Sequence, residues 1–182
     1  MEGPPARPCG RDAGRRVGAS AWTPKASGRH ASMSGVLHDV ASWCVVLQLE
    51  EVPASVLHRA RCQLLSVLGS VYAGRVLDEA QSVVRALRRS DAGQDATVLA
   101  TGEKRSPEGA VRANSAMSMA HDYDDYLFMG HTGHSAVLVP LALTEARDAS
   151  LGDLLACQVV ANEVAGRLGA SALLGPLNGQ MW

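Results

Sequence analysis

A chain of 182 residues is long enough to bury a core of its own. With 47% apolar and 19% charged residues it has a globular composition, and aromatics at 4% leave the core to Ala, Val and Leu, which favours close-packed helices over a β-sandwich. The net charge of −1 is unevenly spread: residues 1–33 hold six basic against two acidic side chains, net +4, so the remainder carries −5 and offers no general basic face for nucleic acid.

Residues 1–33 are rich in Gly, Pro, Arg, Ser and Ala without periodicity and are expected to be a disordered extension. Two readings stand for it. An Arg-rich, acid-poor start suits an organelle transit peptide, although Pro4, Pro5, Pro8 and the glycines interrupt an amphipathic helix. The other is that Met33 is the true start. A domain is expected over 34–182.

Val36, Leu37, Val40, Trp43, Cys44 and Leu47 recur at spacings of three and four, which predicts a helix capped by Ser34. Pro53 opens a second helix bearing Val56, Leu57, Ala60, Leu64, Leu65, Val67, Leu68 and Val71, and Gly74 ends it. A third helix is predicted over 78–89, followed by a turn and a short extended segment, Ala96–Thr101. Ser106 and Pro107 mark the cap and first turn of a helix running to about Asp122, with small residues that let a neighbour come close. A loop from Asp124 to Gly133 precedes a helix centred on Leu141. The final helix starts at a capping box, Ser150 with Asp153, and Gly175-Pro176 breaks it. The fold class is therefore all-α, with at most one short extended segment.

Cys44, Cys62 and Cys157 fall in apolar helical patterns, no pair has CxxC spacing, and no secretory pattern is read at the start. Buried free thiols in a reducing compartment are expected, which means the cytoplasm, or mitochondria if 1–33 is a transit peptide. No stretch of about 18 apolar residues predicts a membrane span.

Four segments in order resemble the MmgE/PrpD family. They are Val52-Pro53 through Arg59-Ala60-Arg61 to Leu68-Gly69 and Ala73-Gly74, and Ala96-Thr97-Val98-Leu99 followed by Ser106-Pro107 and Ala113-Asn114. The others are Asp122-Tyr123-Asp124-Asp125 with the His/Gly loop and Ala136-Val137-Leu138, and Glu163 through Gly169. The resemblance implies the N-terminal part of a helical domain that packs against a smaller lid, in proteins more than twice this length. Trp182 then falls inside the helical domain, so the domain is expected to be truncated. It also implies a homodimer, no metal or organic cofactor, and a lyase or isomerase acting on small polycarboxylates: 2-methylcitrate dehydration, cis-aconitate decarboxylation or iminodisuccinate epimerisation.

Breaking or inverting a bond beside a carboxylate needs an acid or base at the α or β carbon and cations for the substrate carboxylates. By resemblance Asp122 is the first aspartate of an active-site DFDD motif, with Asp125 at its end. Tyr126 stands where the family often has threonine, and a phenol can still hydrogen-bond a carboxylate. The resemblance puts an active-site histidine in the following loop, where His131 is favoured and His134 is second. Crowding of the three carboxylates is expected to raise at least one pKa. The family's substrate-binding lysines and a further histidine lie beyond the residues present here.

Taken alone, the aspartates read as a solvated helix end and the histidines as surface groups. Two other functions compete: a non-catalytic helical interaction or dimerisation module, and metal binding by His121, Asp122, His131 and His134, whose spacing matches no closed zinc pattern. Met117 and Met119 are expected to pack, Arg167 to form a surface salt bridge, and Asn178 and Gln180 to be structural. Neither a nucleic acid nor a membrane is an expected partner.

Overall fold

A computed structural model describes residues 33–174 except 124, 128 and 129, and the side chains of 35–171. Expectations for residues 1–32, Asp124, Gly175-Pro176, Asn178 and Gln180 lie outside the described residues. The elements in order are helix α1 (Met33–Val46), a 3-10 turn (Leu49–Glu51), α2 (Ala54–Gly74), α3 (Asp78–Ser90), strands β1 (Ala96–Thr97) and β2 (Lys104–Arg105), α4 (Pro107–Met119), β3 (Tyr126–Leu127), β4 (Gly130–His131), α5 (Gly133–Ala136), α6 (Leu138–Ala146) and α7 (Leu151–Leu174). The fold is all-α apart from two short antiparallel pairs, β1 with β2 and β3 with β4. No helix among the described residues is long and apolar enough to cross a membrane.

α4 lies at the centre, against α2, α3, α5 and α6. Its small side chains allow this: Gly109, Ala110 and Ala113 are buried with Met117 on one side of the helix. Val67 and Val71 of α2, Ala80, Val84 and Leu87 of α3, Val98, and Val137 and Leu138 close around Ala113 and Met117, while Ala110 packs with Ala96 and Ala142. At the start of α4, Ser106 Oγ accepts a hydrogen bond from Gly109 N at 3.0 Å and donates to Asp91 Oδ2 at 2.7 Å, so the cap also ties α4 to the end of α3. The expected capping box opens α7: Ser150 N donates to Asp153 Oδ2 at 2.9 Å, and Asp153 N to Ser150 Oγ at 3.2 Å.

Four expectations change and one, the end of α2, is sharpened. α1 begins at Met33, which puts Ser34 inside the helix rather than at its cap. α4 ends at Met119, not Asp122, because the chain turns out of the helix over the next residues. Gly74 does end α2, but its function is contact: an added Cβ would overlap the Met117 carbonyl oxygen and lie 2.9 Å from its carbon, and the residue after it stays right-handed. Cys62 and Cys157 are exposed free thiols and Cys44 is half-buried, since apolar neighbours in sequence occupy other faces of each helix. Met117 is fully buried as expected, whereas Met119 is exposed.

Candidate active site

Past α4 the chain reverses through Asp122, whose φ of +57° is a left-handed conformation that aspartate tolerates better than most residues. Asp122 N donates back to Met119 O at 2.9 Å, which fixes where its side chain projects. The carboxylate stands open to solvent, its side chain 81% exposed.

The following segment, expected to be a loop, forms a hairpin. Tyr126 pairs with His131 and Leu127 with Gly130. Thr132 N donates to Asp125 O at 2.9 Å and continues the register by one bond. The start of α5 packs closely on both α2 and the strand entry: a Cβ on Gly133 would be 3.0 Å from Val67 Cγ2 and 3.1 Å from Asp125 N, tolerable only if those neighbours give way. Buried Thr132 and Gly133 anchor this end of the hairpin.

This arrangement brings three of the sequence-predicted residues together. His131 Nδ1 lies 3.6 Å from Asp122 Oδ1, an ion pair when the imidazole is protonated. The Tyr126 ring meets the His131 ring edge-on, with centroids 5.2 Å apart and planes at 87°. His121 and Tyr123 stack beside them at 5.1 Å. His134 is half-buried in α5, one turn further along. His121, Asp122, His131 and His134 do not form a metal site: among the described residues no cluster of three or more ligating side chains occurs.

Asp125 and Tyr126 face a second feature. An open cleft of about 950 Å³ runs between α2 and α7 with the hairpin at its mouth. α2 contributes His58, Arg59, Cys62, Gln63 and Ser66, and α7 contributes Val159, Asn162 and Glu163. Its floor is a ladder of amides. Gln63 Nε2 donates to Asn162 Oδ1 at 3.1 Å, and Asn162 Nδ2 returns a bond to Gln63 Oε1 at 2.7 Å. Fully buried Gln158 donates to Gln63 Oε1 at 2.7 Å and to Ala60 O at 2.8 Å. At the rim Arg167 forms the expected i,i+4 ion pair with Glu163.

Sequence reading passed over the α2 wall. Its signal was present: positions 55, 58, 59, 62, 63 and 66 are polar or thiol-bearing and recur at helical spacing on a face adjoining the one that carries Val67 and Val71.

The model of the MmgE/PrpD N-terminal domain matches residues 38–176. Two curated relatives from Aspergillus terreus, one of them from strain NIH 2624 / FGSC A1156, are both cis-aconitate decarboxylase. Each is 25% identical over 116 residues, covering 64% of this chain and 24% of the relative. The chain thus spans about a quarter of the length of the curated relatives it matches. No solved structure gives a significant match.

Proposed function

The chain belongs to the MmgE/PrpD family, and from that membership we propose that it supplies one wall of the active site of a lyase or isomerase for small polycarboxylates. The reaction is proton transfer beside a carboxylate, with loss of water or carbon dioxide, or with inversion at that carbon. The observation that carries the reading is the Asp122–His131 pair, 3.6 Å apart. With Nδ1 facing the carboxylate, Asp122 orients the ring, and transfer to or from substrate runs through Nε2. Tyr126 against the ring, with its side chain exposed, offers its hydroxyl to a substrate carboxylate, and Asp125 lines the adjoining cleft. His134 remains the second choice for the histidine role. Arg59 in the cleft wall contributes one positive charge. One guanidinium does not balance two or three substrate carboxylates, so the remaining cations come from elsewhere in the active enzyme.

Titrating the 182-residue chain with cis-aconitate and with 2-methylcitrate, read by NMR, tests this. The expected result is weak binding that moves the His131 ring and Tyr126 signals, loses at least about tenfold in affinity in Asp122→Asn or His131→Gln, and gives little or no turnover. Turnover at an enzyme-like rate would overturn the shared-wall reading, and absence of any shift at His131 would overturn the site.

A second reading, a non-catalytic helical interaction module, is favoured by exposed apolar side chains: Val45 is 83%, Leu65 70% and Leu168 62% exposed. It expects self-association, a homodimer being the simplest form, that sedimentation velocity detects as concentration rises. A monomer that melts cooperatively at every concentration would remove that support.

A further inference from the structure

His58 and Cys62 are four residues apart on α2, so both leave the same face of the helix, and that face is the cleft wall. Cys62 Sγ and His58 Nε2 are 3.7 Å apart. A tetrahedral zinc ion, with Zn–S about 2.3 Å and Zn–N about 2.0–2.1 Å, holds such donors about 3.6 Å from one another. The two side chains therefore already stand at the separation of two ligands on one metal. Both are exposed, whereas Val67 and Val71 anchor the opposite face of α2 in the core, so the backbone that spaces them is fixed.

We propose that His58 and Cys62 form a two-point chelate for a thiophilic divalent cation, Zn²⁺ or Cd²⁺, in the wall of the α2–α7 cleft. Thiolate and imidazole select such ions over Mg²⁺ and Ca²⁺, which prefer oxygen donors. Binding converts the Cys62 thiol to thiolate and releases its proton to solvent. Two protein donors leave the other coordination positions to water or to an anion in the cleft, which makes the site exchangeable rather than structural. The inference does not depend on the polycarboxylate reading, since neither Asp122 nor His131 takes part.

Cadmium titration of the full chain, followed by the ultraviolet thiolate-to-cadmium charge-transfer absorption, tests it. Cys157 is an internal control: it is also exposed but has no histidine one turn away. The chelate requires a binding step that disappears in Cys62→Ser, persists unchanged in Cys157→Ser, and weakens at least about tenfold in His58→Ala, because even outer-shell partners of a metal are worth that much. A step that survives in Cys62→Ser, or weakens less than about tenfold in His58→Ala, overturns the proposal. Both positions are on the surface, so loss of folding does not confuse the result.

Discussion

At Gly74 the absence of a single carbon decides how closely two helices approach. Gly74→Ala pushes a methyl into the Met117 carbonyl, a backbone atom that cannot swing away. The expected cost is about 1–3 kcal/mol or more, read as a lower urea midpoint. Asn114, 4% exposed, uses both ends of its amide: Oδ1 accepts from Leu99 N at 2.9 Å and Nδ2 donates to Thr97 O at 2.9 Å. Asn114→Ala strands both backbone groups and is expected to destabilise by about 1–3 kcal/mol in the same measurement. Neither function was legible in the sequence. Gly74 has a helix terminator's place, and Asn114 looks like any polar residue in a helix, because the partners that define them are distant in the chain. Asp122 and His131 were candidates from the sequence, but their proximity depends on a left-handed backbone and a hairpin register that no local pattern announces.

The elements were more readable than the joints between them. Helical periodicity located α1 to α4, α6 and α7, and Ser106 and Ser150 announced their helix starts. The β3–β4 hairpin was missed because strands of two residues are too short for alternation to register. The joints are tied by carboxylates. Asp91 is held below the usual aspartate range, first by the backbone N–H of Gly93 and then by the Ser106 hydroxyl, and Asp153 is lowered first by the Ser150 hydroxyl. Glu103 is lowered above all by its hydrogen bond from Arg88. A carboxyl depressed in the folded state binds protons more readily when unfolded. Its stabilising effect is therefore complete above the unfolded value of about 3.9–4.3 and disappears as pH falls through the lower folded value. The chain is expected to lose stability progressively below about pH 4, with Asp91→Asn flattening that dependence in denaturation series across pH.

In the whole molecule the principal cluster of buried apolar side chains runs from Val67 to Leu138 and contains nothing from α7. α7 buries Leu154 and Leu155 near its start, and along the cleft it is tied to α2 by the amide ladder, whose cross-links join residues between 95 and 99 apart in sequence. Contacts that close so long a loop form late in folding, after local helix pairs have met. Gln158→Ala is expected to cost about 1–3 kcal/mol and to raise amide hydrogen exchange in α7 well before exchange in α4. Such selective exchange means that the last segment to dock is also the first to lift, a partial opening that leaves α2 to α6 folded. The cleft exists only while α7 is docked, so anything that binds between α2 and α7 closes this opening in proportion to its occupancy. Occupancy of the cleft and protection of the α7 amides then report a single equilibrium, and slowed exchange in α7 identifies a true ligand without any knowledge of the reaction.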